Sequence, residues 1–253
     1  MLKIITNADD LGKSIEINNE IFRLMSLGKI TSSTILATGH SFEDAAMRSK
    51  DFPNASFGIH LNLTEYKPLT SSPLWEKHNL INESGEFNGQ IRSVKLSREL
   101  YPVIFKEWSA QIDMLKSCGI PVSHIDSHHH VHTIPWLFMT LKAVQKKYNI
   151  KKVRKSMNLF YDAQSLQTYR HHANKWLWNR ALASYYKSII TDYFTTFYIF
   201  QQVTSSSNKT FYGSIELMLH PGALSHIDEN RLVSSNWDDF ITFPYSKISY
   251  NEL

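Results

Sequence analysis

Apolar positions at the start of the chain follow two different spacings. Residues 2–8 form a short, mostly apolar run, which is typical of a buried strand. Ile17, Ile21 and Leu24 then recur every three or four residues, as on the buried face of an amphipathic helix. Gly28 is well placed to end that helix. The pattern predicts a strand followed by a helix.

The same order of strand and helix repeats along the chain. Further strands are predicted over 31–37, 56–64, 120–126, 152–156 and 215–219, and further helices over 42–46, 97–117, 136–147 and 163–187. Such alternation predicts a parallel sheet, either open or closed into a barrel. The 253 residues match the length of one (β/α) barrel. No repeat, low-complexity tract or linker interrupts the pattern, so we predict a single domain over residues 1–253.

Composition and charge narrow the class of protein. A hydrophobic content of 42% and a charged content of 20% are those of a globular protein. The aromatic content of 13% predicts a bulky core first and contacts to sugar rings second. The net charge is +4, but the densest basic run, over residues 151–155, is explained as a solvated helix end. We therefore expect no nucleic-acid partner.

We expect no signal peptide and no membrane span in this sequence. The first residues enter a strand directly, without the charged and apolar regions of a signal peptide. No run of about 18 apolar residues predicts a membrane span. The single cysteine, Cys118, excludes an internal disulfide and suits a reducing compartment. We expect a cytoplasmic protein with no membrane partner.

Four polar clusters end predicted strands, where barrels and open α/β sheets place their active sites. The first contains Asp9 and Asp10. Two adjacent carboxylates at the end of a buried strand repel each other and are costly to desolvate. A metal ion would resolve the conflict, with one carboxylate binding the ion and the other accepting a proton from water. The alternative is a cap for the following helix.

The second cluster lies in residues 56–64. Strand alternation places Phe57 and Ile59 on one face and Gly58, His60 and other small polar residues on the opposite face. A face of small polar residues with one histidine is typical of the wall of a site. The alternative is a hydrogen-bonded core histidine.

The third cluster is the most specific, because residues 124–132 contain five of the twelve histidines. If the strand pleat persists, His124, Asp126 and His128 share a face. Neutral imidazoles bind first-row metals, and neighbouring carboxylates orient them. The run is internal and interleaved with other residues, unlike a purification tag. We predict a metal site in which one or two of these histidines bind the ion directly.

The fourth cluster is His220, which follows a predicted strand and precedes a Pro-Gly turn. It suits a general acid, or alternatively a capped turn. Together the clusters offer one aspartate and two histidines for a metal, with a spare aspartate and histidine for proton transfer. Hydrolysis of an amide or ester needs such a set. No Gly-rich phosphate-binding loop of the Walker type is present.

At these residues the chain resembles the YdjC-like carbohydrate deacetylases, which include chitooligosaccharide deacetylase. The matching segments are residues 7–12, 30–34, 58–64, 124–132 and 216–222. The resemblance implies an α/β fold, an imperfect (β/α) barrel of the glycoside hydrolase and deacetylase type. It also implies a homodimer.

Residue roles follow from the same resemblance. It implies that Asp10, His60 and His128 bind one divalent metal ion, with Asp9 as the catalytic base and His220 as the acid. The family is associated with Mg²⁺, yet two histidines and one aspartate are softer ligands than Mg²⁺ prefers. Zn²⁺, Mn²⁺ or Co²⁺ suits them better, so the metal stays open.

The expected reaction is hydrolysis of N-acetyl groups on acetylated sugars or oligosaccharides of the chitooligosaccharide kind. One alternative is a metallohydrolase that cleaves another small amide or a phosphoester. The other is a sugar-binding protein that has lost catalysis. Two features have no assigned role: Arg154 and the aromatic stretch over residues 174–202.

Overall fold

A computed structural model describes residues 1–161, 166–206, 210–223 and 236–253. The strands are β1 (Leu2–Leu11), β2 (Ser32–Ile35), β3 (Ser56–Leu61), β4 (Ile125–Ser127), β5 (Tyr193–Thr196), β6 (Gly213–Leu219) and β7 (Tyr245–Lys247). The helices are α1 (Ile15–Ser26), α2 (Phe42–Arg48), α3 (Pro73–Lys77), α4 (Leu100–Ser117), α5 (Phe138–Tyr148), α6 (Leu166–Ser184) and α7 (Phe197–Ser206).

All strand pairs are parallel, and the strand order is β4-β3-β2-β1-β6-β5. The first half of β1 also pairs with β7, while its second half pairs with β2. The sheet forms a half-barrel with helices around it, which confirms the α/β fold and the imperfect barrel predicted from the sequence. The carboxyl ends of the strands therefore meet at one mouth.

The prediction of a strand over 152–156 is wrong in length, because only the first two residues pair with neighbouring segments. Lys152 and Val153 each form only a single parallel bridge to a neighbouring segment. The pairing stops there because the Ser156 N–H donates to the side-chain oxygen of Asn179, at 2.8 Å, instead of to a strand. These two bridges still continue the curvature of the sheet beyond β4.

Other elements differ from the sequence prediction in length or were not predicted. The strand predicted over 120–126 forms only as β4, one residue beyond the predicted end, and the elements α3, β5, α7 and β7 were not predicted. The helix predicted over 163–187 corresponds to α6, and residues 163–165 of that prediction lie outside the described residues. Strands of three or four residues carry too few positions for a periodicity to show.

The two faces of the sheet differ in polarity. Outward-facing residues such as Ile59, Ile125 and Leu217 are fully buried against helices, including Trp108 of α4. The inner face instead carries buried polar side chains. These include Asn7, Asp9, Thr34, His60, Asp126 and Glu216. Burying so many polar groups is costly unless they bind each other or a ligand. The interior of the half-barrel is therefore the candidate location of a functional site.

Among the described residues, no helix has both the length and the apolar character needed to cross a bilayer.

Candidate metal centre and active site

Asp9 and Asp10 lie at the carboxyl end of β1, where the strand departs from regular geometry. The pairing of β1 with β2 shifts register between Ala8 and Leu11, and Asp10 has a φ of 66°. In a regular strand adjacent side chains point to opposite faces. The irregularity lets both carboxylates line the same cavity.

Three predicted metal ligands converge at this point. The Oδ1 atom of Asp10 lies 2.8 Å from Nδ1 of His128 and 3.3 Å from Nε2 of His60. One ligand atom from each residue lies within 4.8 Å of the others. Asp10 Oδ1 is buried and accepts no well-aligned hydrogen bond from any described residue. An orphaned carboxylate oxygen facing two imidazole nitrogens fits a divalent cation between them.

His60 is oriented by the side chains behind it. Its Nδ1 lies 2.7 Å from Oδ1 of Asp126 and 3.1 Å from the hydroxyl of Thr34. The Thr34 hydroxyl donates to the other oxygen of Asp126, at 2.9 Å. With the Nδ1 proton donated to Asp126, Nε2 is left to face Asp10. Such carboxylate–histidine pairs fix the ring of metal-binding histidines.

The field around His60 favours positive charge. Burial by itself lowers the pKa of His60, but the carboxylates of Asp126, Asp10 and Asp9 raise it to about 10. A field that retains a proton on a buried ring also favours a metal ion beside that ring.

His128 begins the turn that follows β4. The next two residues, His129 and His130, have φ values of 49° and 53°, a left-handed backbone uncommon outside glycine. Arg92 supports this turn by donating to the carbonyl oxygens of His129 and His130. The strained turn directs His128 back over the strand ends.

Arg154 is fully buried and joins three carboxylates. Its two terminal nitrogens each donate to one oxygen of Asp9, both at 2.6 Å. It also lies 2.8 Å from Asp126 and donates through Nε to Glu216 at 2.7 Å. Burial by itself raises the pKa of Asp9, but the charge and hydrogen bonds of Arg154 hold it well below its usual value. Asp9 is therefore an ionised carboxylate at neutral pH.

Buried carboxylates outnumber the buried positive groups around the site. Asp9, Asp10, Asp126 and Glu216 line one interior with the guanidinium of Arg154 and with the His60 ring, which is positive only while it holds its proton. Buried carboxylates without a positive partner are unfavourable in a low-dielectric interior. A divalent cation at the Asp10 oxygen would offset this negative charge when the His60 ring is neutral.

His220 follows β6 and reaches the cavity from the opposite side. Its Nε2 lies 3.8 Å from Oδ2 of Asp9. The cavity between them has a volume of ≈ 260 Å³ and includes all five residues to which the sequence assigned roles. Those residues are Asp9, Asp10, His60, His128 and His220.

The remaining histidines of the third cluster have separate positions. His124 and Asp126 lie inside the half-barrel, where the strand pleat predicts them, but His124 contacts Asn7 rather than the cavity. His132 is buried between the Ser127 hydroxyl and the Arg154 carbonyl oxygen. His129 and His130 line the cavity.

Sequence reasoning missed Glu65 and Lys13. Glu65 Oε2 lies 3.2 Å from Nε2 of His128 and 3.2 Å from the Lys13 ammonium, which lies 3.6 Å from Asp10. The side-chain oxygen of Asn62 accepts hydrogen bonds from the N–H groups of Thr64 and Glu65. This turn brings Glu65 to His128. The sequence signal for Glu65 was its position, because it directly follows the family-like segment over 58–64.

The family described as YdjC-like protein matches residues 3–241 of the chain. A carbohydrate deacetylase from Halalkalibacterium halodurans is 31% identical over 237 residues, which cover 90% of this chain and 87% of the relative. A carbohydrate deacetylase from Geobacillus stearothermophilus is 36% identical over 146 residues, which cover 58% of this chain. That match spans 57% of the relative, little more than half of its length.

A crystal structure from Enterococcus faecalis V583, of a proposed cellobiose-phosphate cleavage protein, has a similar fold. Its TM-score is 0.74 at 23% identity, and the alignment covers 99% of this chain and 98% of that one. The likeness is one of fold alone.

Proposed function

Since this chain belongs to the YdjC-like protein family, we propose that it is a metal-dependent carbohydrate deacetylase that hydrolyses the N-acetyl groups of acetylated sugars or chitooligosaccharides. The relatives named carbohydrate deacetylase support the reaction and the sugar substrate. The observation that carries the proposal is the convergence of Asp10, His60 and His128 beside Asp9 and His220.

In this proposal Asp10, His60 and His128 hold the metal ion. When bound, a divalent ion supplies a Lewis acid that polarises the acetyl carbonyl and makes a water molecule more acidic. Two imidazoles and one carboxylate favour Zn²⁺, Mn²⁺ or Co²⁺ over Mg²⁺. Asp126 keeps the His60 ring in the orientation that this role requires.

Asp9 takes the proton of the attacking water. Arg154 keeps the Asp9 carboxylate ionised and fixes its direction with two hydrogen bonds. The same pairing lowers the basicity of Asp9. Positioning compensates for the weakness, because the carboxylate cannot rotate away.

His220 donates a proton to the departing amine. Its ring lies 3.8 Å from Asp9 and lines the same cavity, so both groups reach one substrate. Protonation of the nitrogen is needed for cleavage of an amide, since an amide anion is a poor leaving group.

The direct test measures acetate release from N-acetylglucosamine and from N-acetylated oligosaccharides, with phosphate and other amine products followed in parallel. We expect acetate release that a chelator abolishes and that added Zn²⁺, Mn²⁺, Co²⁺ or Mg²⁺ restores to different extents. Phosphate release without acetate would contradict the proposed reaction. Acetate release that is insensitive to complete metal removal would contradict the metal dependence.

A further inference from the structure

The segment after β7 enters the interior of the half-barrel from the end opposite the cavity. Tyr250 is 0% exposed and begins a short 3₁₀ turn over Tyr250–Glu252. Its N–H donates to the hydroxyls of Ser32 and Ser56, at 3.0 and 2.8 Å. These serines stand at the amino ends of β2 and β3. Tyr250 is therefore fixed beneath the site by its backbone.

The Tyr250 hydroxyl is linked to the Asp9 carboxylate through two buried side chains. It donates to Oε2 of Glu216, whose Oε1 accepts the Nε proton of Arg154 at 2.7 Å. Arg154 in turn holds both oxygens of Asp9. All four side chains are almost fully buried, so water does not compete for these bonds.

The Tyr250 ring is linked to the same carboxylate by a second route. It stacks on His124, with ring centroids 3.6 Å apart and planes 11° from parallel. His124 Nε2 lies 3.1 Å from the side-chain oxygen of Asn7, whose amide donates to Asp9 Oδ1 at 3.1 Å. A variant that removes only the hydroxyl therefore breaks the first route and keeps the second.

We propose that Tyr250 is a positioning residue for Asp9, acting through its hydroxyl on Glu216 and Arg154. Without the hydroxyl, Oε2 of Glu216 loses its donor in an interior closed to solvent, and such a loss is costly. The carboxylate turns to find another donor, and the turn moves Oε1 and the guanidinium that it holds. The five N–H groups of Arg154 are already divided among three carboxylates. A guanidinium that moves with Glu216 therefore makes weaker hydrogen bonds to Asp9.

The variant Tyr250→Phe tests this inference, which rests on the proposed function for its catalytic consequence. Phenylalanine keeps the ring on His124 and the backbone bonds to the two serines. We expect kcat for acetate release to fall about 10- to 100-fold, since small misplacements of a catalytic group have effects of that order. We expect KM and the bound metal per chain to be unchanged, because the metal ligands are not moved.

Tyr245→Phe is the matched control, because it also removes one tyrosine hydroxyl, which contacts Asp238 at 3.1 Å. It should leave kcat unchanged. In Glu216→Leu both bonds of the link are removed, so adding Tyr250→Phe should lower kcat no further. A kcat of Tyr250→Phe within twofold of wild type, or an equal loss in Tyr245→Phe, would overturn the positioning role.

An error in the proposed function would give a different experimental result from an error in the positioning role. If the metal-loaded wild type releases no acetate, that function is wrong, but crystal structures of wild type and Tyr250→Phe still decide the inference. A guanidinium displaced from Asp9 in the variant supports it. An Arg154 that keeps both bonds to Asp9 overturns it.

Discussion

In the proposed function, some side chains at the site hold a cation and others transfer a proton. Asp9 and Asp10 are neighbours in sequence, yet Asp9 is paired with Arg154 while Asp10 faces His60 and His128. The left-handed backbone at Asp10 brings both carboxylates to one cavity, so the difference follows from the side chains that surround each of them. Chemically equivalent groups thus receive different roles from their surroundings.

Asp9→Asn separates the two roles. The amide cannot accept a proton from water, so we expect kcat for acetate release to fall about 10²- to 10⁴-fold, the range typical of a lost general base. The proposed ligands Asp10, His60 and His128 are unchanged, so the metal content per chain should stay at the wild-type value. Full activity in a variant that retains its metal would defeat the assignment of Asp9 as the base.

His60→Ala and His129→Ala distinguish two candidate metal positions that share His128. The structure also brings Glu65, His128 and His129 close enough to share an ion. The His129 side chain is 53% exposed, against 2% for His60, so we expect His129→Ala to keep the metal and His60→Ala to lose it. Metal analysis after dialysis gives the result. Loss of metal in His129→Ala, with retention in His60→Ala, would move the ion to the Glu65 side.

Among the elements, β3 and β4 position the site through a close contact that only glycine allows. A Cβ atom built on Gly58 lies 2.6 to 2.7 Å from the ring and the carbonyl oxygen of His124. The contact lets β3 lie against His124 while His60, two residues further on, reaches Asp126.

Gly58→Ala should therefore force the two strands apart. We expect it to lower the free energy of unfolding by about 1–3 kcal/mol, as overpacking does, and to weaken metal binding through His60. Urea unfolding and metal titration measure the two effects. Gly85→Ala is the control, because its Cβ meets nothing within 4 Å and only its positive φ is strained, so metal affinity should be unchanged. Equal metal affinity in both variants would contradict the proposed contact.

In the whole molecule, the metal and the proton on His60 are alternative ways to offset the buried negative charge. The pKa of His60 in the metal-free protein is raised from 6.5 to about 10. A raised pKa stabilises the fold fully below pH 6.5, and this contribution is lost as pH rises toward 10. A bound metal needs the neutral ring, so it is not subject to that loss.

The difference in Tm between metal-loaded and chelated protein should therefore widen from pH 6.5 to pH 10. Thermal unfolding at several pH values, with and without a chelator, measures it. His60→Gln removes the titrating ring, so its chelated form should lose less stability over the same range. A difference in Tm that is constant with pH in the wild type would contradict this account.

The sequence by itself was enough to identify the parallel α/β architecture and five cavity residues. Strand and helix periodicities are local, and the carboxyl ends of parallel strands necessarily meet at one edge. Asp9, Asp10, His128 and His220 follow predicted strands, and His60 lies on the polar face of one, so their convergence could be expected without coordinates.

Only the tertiary structure decided which side chains support them. Arg154 pairs with Asp9 across 145 positions, and Tyr250 binds Ser32 across 218. No local pattern distinguishes a buried arginine from a solvated one, or an interior tyrosine near the end of the chain from an exposed one. Such partners are chosen by distance in the folded chain, where a buried polar group must find a donor, an acceptor or a charge of opposite sign.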